Sequence, residues 1–332
     1  MKLVKNLCRI IVGIVFIYSG FVKGIDPSGS DYKFTDYFNA FGMGWMNATT
    51  LFFSFALSLA EFLIGIALLF NLWVSRMAWG SLLFMFFFTP LTLVSALTNP
   101  VSDCGCFGDA TLLTNWQTFW KNIILLLLAI MIFVYRKEYK SSLPLVGQFS
   151  FLALAGAGML CLSVYCYRHL PVLDFRPYAV GKNITEGMRL PEGTEPDQYE
   201  VTLKYKNKQT GEVQSFTEEN YPWQDTLNWE YESSSERLVK KGYITPIHDL
   251  VIEHPTLGNI TEEILEDDNH TILAVAYNLT QSDVQYQPAI NRLAEYAQEK
   301  GIRFYGLTSS SERDIETYKK RYHVPYEFCT AD

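Results

Sequence analysis

Histidine, cysteine and basic charge are all scarce in this chain of 332 residues. The five histidines are scattered, with no ligand-like spacing, so a metal site is not expected. A net charge of -8 excludes nucleic acid as the main partner. Six cysteines in a chain this long do not make a disulfide framework, so their placement matters more than their number. Internal repeats and low-complexity tracts are also missing. The first apolar run has no small-residue cleavage site, because Tyr18-Ser19-Gly20-Phe21 leads straight into Lys23. That run therefore reads as a retained transmembrane helix rather than a removed signal peptide. No Lys or Arg occurs between Pro90 and Trp116.

What is present is apolar length. Five segments, roughly 3–22, 50–70, 77–97, 117–135 and 149–167, approach the ~20 residues that a bilayer crossing needs. The basic residues Lys2, Lys5, Arg9, Arg76, Arg136, Lys137 and Lys140 then fall on one side, which the positive-inside rule makes cytoplasmic. Residues 104–106 and everything after 168 fall on the other side. Lys23 and Lys33 break the pattern, diluted by Asp26, Asp31 and Asp36. The expected setting is the inner, cytoplasmic membrane, with lipid around the helices. The stretch 23–49 reads as a long loop whose aromatics suit interfacial re-entry.

Asp103-Cys104-Gly105-Cys106-Phe107-Gly108-Asp109 lies between the third and fourth segments. Residues two apart span at most about 7 Å, and a disulfide prefers a Cα separation of about 4.4–6.8 Å, so the backbone must bend. Gly105 permits the bend. A ring this small stabilises little, about 1.6 kcal/mol by chain entropy against about 3 kcal/mol for a fifteen-residue loop. That comparison favours redox exchange at Cys104 and Cys106 over a structural staple. A metal reading has only Asp103 and Asp109 to add. Cys161 and Cys166 lie five residues apart on the fifth helix, about 140° around it, and do not share a face. They offer a relay from Cys166 to the loop, against the alternative of small packing residues.

Glu61 sits midway along the second segment, where an acidic group costs roughly 2.5–3.5 kcal/mol unless paired or protonated. Arg9, at a similar depth on helix one, is the expected partner. The pair reads either as a structural ion pair or as a quinone or proton site. Ala153, Gly156 and Ala157 permit close packing of the fifth helix.

Beyond residue 170 the chain turns polar. Gln198–Lys206 and Glu212–Phe216 read as a hairpin, with further strands over Thr226–Glu232 and His248–Glu253. Thr271–Tyr277, Ile302–Thr308 and Pro325–Cys329 read as strands. They alternate with helices over Gln285–Lys300, interrupted by Pro288, and Glu312–His323. Strand-helix-strand-helix-strand predicts a parallel α/β unit. Because it ends on a strand, more chain is expected after Asp332.

The residues Arg9, Gly13, Ser19-Gly20-Phe21-x-Lys23, Glu61-x-x-x-Gly65 and Cys104-Gly105-Cys106-Phe107-Gly108 resemble the DoxX-like/MauE family over about residues 1–140. The resemblance implies a four-helix membrane bundle. For MauE it implies a part in maturing the methylamine dehydrogenase light chain through disulfide formation or transport. For DoxX-type relatives it implies quinone-linked chemistry. The C-terminal part resembles thioredoxin-like proteins. Asn278-Leu279-Thr280-Gln281-Ser282 stands where their Cys-x-x-Cys would be. The expected organisation is a bundle over 1–140, a fifth helix over 141–170, a β-rich part over 171–258 and a partial thioredoxin-like domain over 259–332. The expected function is thiol–disulfide exchange with an extracytoplasmic protein partner; the residues call for no particular cofactor, and a quinone link is left open. The alternatives are a docking protein or a quinone-binding oxidase subunit.

Overall fold

The computed structural model describes residues 2–331 except 100, 102–104, 196–197, 209, 218–219, 223–224, 226, 241, 244 and 248–249. The chain divides into two units, Met1–Val180 and Gly181–Asp332.

The first unit is helical. Helix α1 spans Lys2–Ile25 and stops at Asp26, whose carboxylate accepts the Gly29 N–H at 3.0 Å. That cap, with Pro27 in the first turn, opens α2, Pro27–Ala40. The stretch 23–49 is therefore not a loop. At 14 residues α2 is too short to cross a bilayer, and it packs on α3. Helix α3 covers Thr50–Leu69 and α4 Val74–Thr98, with Pro90 inside it. Helix α5, Asn115–Val134, begins with a reciprocal capping box between Thr114 and Gln117. Helix α6 covers Leu145–Arg168. Among the described residues five helices are long and apolar enough to cross a membrane, and this is a multi-pass membrane protein. Phe52, Phe86, Leu127 and Leu154 point outward, as lipid-facing side chains should.

Two kinds of contact hold these helices. In the first, α1 and α3 run antiparallel with glycines at the crossing. A Cβ on Gly20 would lie 2.5 Å from Phe62 N, and one on Gly65 would lie 2.5 Å from Ile17 N. Only glycine lets the backbones come this close. In the second, a polar seam joins α4 and α5. Asn122 Nδ2 donates to Thr92 Oγ1 (3.2 Å), and Asn115 Nδ2 to Asn99 Oδ1 (2.7 Å) and the Val101 carbonyl (3.1 Å). On α6, Gly156 is buried against Leu63 and Leu59, whereas Ala153 and Ala157 are exposed and take no part in the packing.

The second unit opens with the short helix α7, Ile184–Met188, followed by strands β1 (Gln198–Asn207), β2 (Val213–Thr217) and β3 (Trp229–Lys240). They form an antiparallel sheet in the order β2-β1-β3. Strand β3 starts later and runs further than the patterning predicts, and Thr226 lies outside the described residues. Next come β4 (Ile252–His254), β5 (Gly258–Asn259), α8 (Thr261–Leu265), β6 (Thr271–Val275), α9 (Gln287–Glu299), β7 (Arg303–Thr308), α10 (Glu312–Tyr322) and β8 (Glu327–Ala331). His248, placed at a strand start by pattern, is likewise outside the described residues. Pro288 does not interrupt a helix. It sits in the first turn of α9, where its missing N–H costs nothing. Ser311 caps α10 by accepting the Asp314 N–H.

Strands β6, β7 and β8 are parallel neighbours, as the alternating pattern predicts, within a sheet ordered β5-β4-β8-β7-β6. Successive residues of β8 serve opposite faces. Phe328 joins Leu279, Ala294, Tyr318 and Tyr326 on one face. Cys329 joins Ile252, Ile260, Ile264 and Leu307 on the other. Burial pushes the Cys329 thiol up to about 11. Cys329 is expected to stay unmodified by iodoacetamide at pH 8 in the folded protein and to react once denaturant is added. Modification of the folded protein at the denatured rate would contradict this placement.

Candidate functional site

The register of α1 against α3 builds the site. The atoms nearest Gly13 belong to Gly65 and Leu69, and those nearest Gly20 to Ser58 and Phe62. This sets Ser19 about level with Glu61, and Arg9 level with the end of α3. Side chains on a helix lean toward its N-terminus. In an antiparallel pair Lys23 and Glu61 therefore lean toward each other, while Arg9 and Glu61 lean apart.

The contacts follow that geometry. Lys23 Nζ donates to Glu61 Oε1 at 2.7 Å and Oε2 at 2.8 Å, and to Ser19 Oγ at 3.0 Å. Glu61 and Lys23 are 3% and 8% exposed, so each charge depends on the other. The expected Arg9–Glu61 pair does not form. The Arg9 guanidinium instead bonds the Leu68 carbonyl and, at 3.0 Å, the Leu69 carbonyl. These carbonyls lie at the negative end of α3, a natural place for a cation. Arg9 also lies over the Tyr139 ring. Lys23, set aside as an exception to the charge pattern, is the residue that sequence reasoning missed. The direction rule for helical side chains would have found it; depth along the helix axis alone does not.

Residues 105–108 of the Cys-Gly-Cys loop dock on the same place. Ser19 Oγ donates to the Cys106 carbonyl at 2.8 Å. Gly105 has φ +62° and Gly108 φ +50°, and the Gly108 N–H closes a turn onto the Gly105 carbonyl at 3.1 Å. The bend that the sequence requires at Gly105 is therefore present, in a region open to glycine. The Phe107 ring fixes the loop further. It meets Tyr18 edge-on at 5.2 Å between centroids, and Lys121 Nζ sits 4.1 Å from its centre. Cys104 lies outside the described residues.

Below the loop is a cavity of about 210 Å³. Glu61, Lys23, Ser19, Cys106 and Asn122 line it together with many aromatic rings, including Phe16, Phe34, Phe38, Phe84, Phe88 and Phe107. Phe87 lines it and is also largely exposed. An apolar chamber with a few convergent polar groups is the usual form of a small-molecule site. Asn122 and Lys121 reach this chamber without any motif announcing them. Arg9 is not among the residues that line it.

The second cysteine pair divides as the helical spacing requires. Cys166 is buried in line with Gln148, Leu152, Gly156, Met159 and Ser163, the packing face of α6. Cys161 is exposed. The loop after β6 is held by its own side chains. Asn278 Oδ1 accepts from the Thr280 N–H and hydroxyl at 2.9 and 2.7 Å, and Leu279 is buried.

Residues 1–135 match the family described as methylamine utilisation protein MauE. Residues 199–241, the antiparallel sheet of the second unit, match a domain of unknown function. No curated protein and no solved structure matches the chain.

Proposed function

We propose that this MauE-like membrane unit is a thiol–disulfide redox protein acting through Cys104 and Cys106. The observation that carries the reading is that Cys106 lines the same chamber as the buried Lys23–Glu61 pair. In the exchange step, a thiolate of an extracytoplasmic partner attacks one sulfur of the Cys104–Cys106 disulfide. A mixed disulfide forms and the other sulfur leaves as a thiolate. The partner's second thiolate then attacks its own sulfur in the mixed disulfide and releases it. The partner leaves oxidised, and the loop holds two thiols after taking up two protons.

Returning the loop to its disulfide requires an acceptor for two electrons. A quinone is the acceptor this reading assigns to the chamber: aromatic rings suit its ring, Asn122 and the Lys23–Glu61 pair supply polar partners, and Phe87 both lines the chamber and is exposed. A bound quinone supplies a sink for two electrons and two protons. The orientation that serves this reading puts the loop outside. What supports it is the gathering of basic residues at the opposite bundle end, where Lys5 lies beside Glu138 and residue 140 lies beside Asn71. A maturing methylamine-oxidising enzyme is one instance of such a partner.

Thiol trapping of Cys104 and Cys106 in membranes, across a series of dithiol/disulfide potentials, tests the reading. The expected result is a reversible two-electron transition that disappears in Cys104→Ser and in Cys106→Ser. Thiols that stay reduced throughout, or a disulfide that never opens, would overturn it. That outcome would favour a non-enzymatic docking role, to which the cysteine-free loop Asn278–Ser282 of a thioredoxin-like unit is suited.

A further inference from the structure

A lysine ammonium has three N–H donors and no acceptor. In Lys23 all three are taken, two by Glu61 and one by Ser19. Ser19 has one donor of its own, and it goes to the Cys106 carbonyl. The result is an unbroken line from a carboxylate in the middle of α3, through an ammonium and a hydroxyl, to the backbone of the thiol loop. Its three side chains are at least nine-tenths buried, where low dielectric strengthens each bond and each bond polarises the next.

We propose that Ser19 is a positioning residue that transmits the state of the Lys23–Glu61 pair to the Cys106 loop. The proposal rests on the thiol-exchange reading for its purpose, but not for its geometry. The two bonds to Glu61 join opposite charges and are the shorter ones, so the bond to the neutral Ser19 hydroxyl is the one that yields first. A cavity ligand presenting a carbonyl oxygen to Lys23 takes the place of Ser19. The hydroxyl then loses the donor that holds and polarises it, and its grip on the Cys106 carbonyl weakens. Filling the chamber thus loosens the loop, and a loosened loop eases entry of the ligand, because coupling between two sites is reciprocal.

The test measures how fast a membrane-impermeant maleimide labels Cys106, resolved by peptide mass spectrometry. The background is Cys104→Ser, in which Cys106 cannot close the loop disulfide. Ser19→Ala is expected to raise the labelling rate about fivefold, the ratio that one net hydrogen bond supports. Ser19→Thr, which keeps the hydroxyl, is expected to return it to the starting rate. Decylubiquinone is expected to raise the rate in the Ser19 protein and to leave the Ser19→Ala protein unchanged. Equal labelling of the Ser19 and Ser19→Ala proteins would overturn the proposal, as would a quinone response that persists in Ser19→Ala. Thermal unfolding of each variant identifies any global loss of fold, and the quinone response of the Ser19 protein still decides the matter if Ser19→Ala proves unstable, since a labelling rate unmoved by quinone would overturn the proposal. Labelling does not require a redox-active pair, so a redox-silent Cys104–Cys106 would sink the exchange reading while leaving this result readable.

Discussion

Glu61→Gln is expected to cost about 3–5 kcal/mol of bundle stability, because it leaves the Lys23 ammonium buried without a counter-charge. The cost comes from the uncompensated charge rather than from the lost contact. Taking both charges away therefore reverses most of it. The double variant Lys23→Met/Glu61→Leu is expected to unfold near the wild-type midpoint in detergent, since apolar replacements of a buried pair are often neutral. The two outcomes together separate the roles of the pair. If the double variant is stable and still shows the reversible thiol transition, the pair is structural. If it is stable but its loop disulfide is no longer regenerated in quinone-containing membranes, the pair serves the chamber. A single Glu61→Gln variant as stable as the starting protein would contradict the burial and pairing described above.

The second large effect is expected at the α1–α3 crossing. In Gly20→Ala the new methyl would sit 2.5 Å from Phe62 N and 2.6 Å from the Ser58 carbonyl oxygen. Both are backbone atoms and cannot rotate away, so α3 itself must shift, at a cost of about 1–3 kcal/mol. The shift also draws Glu61 away from Lys23, so the loss extends beyond the local overlap. Gly158→Ala is the control. Gly158 is on the exposed side of α6 with nothing within 4 Å of the added methyl, and alanine is the better helix former by about 0.5–1 kcal/mol. Thermal denaturation should therefore move the two variants in opposite directions. A Gly20→Ala protein at least as stable as Gly158→Ala would show that the helices are not in this close register.

The membrane half was legible because its signals are local. Apolar length marks five crossings, and Gly105 marks the bend between two cysteines. The helix α2 was hidden because its 14 residues are neither apolar enough for a span nor patterned strongly enough to stand out from a loop. The parallel strands β6, β7 and β8 were legible for the same reason as the spans: short apolar runs alternate with amphipathic helices. Strand β3, with no buried residue among those described, gave little pattern to mark its true extent.

The sequence by itself determined the inventory: a membrane bundle, an acidic group that needs a partner, two cysteines on a bent loop, and an α/β unit without its own cysteine pair. Only the tertiary structure decided the pairing. Glu61 takes Lys23 rather than Arg9 because two antiparallel helices meet at Gly13, Gly20 and Gly65, and because their side chains lean in fixed directions. The same crossing puts Ser19 between that pair and Cys106. Composition and spacing run along one chain, whereas a register between two helices is a relation across space. It is set by which backbones can touch.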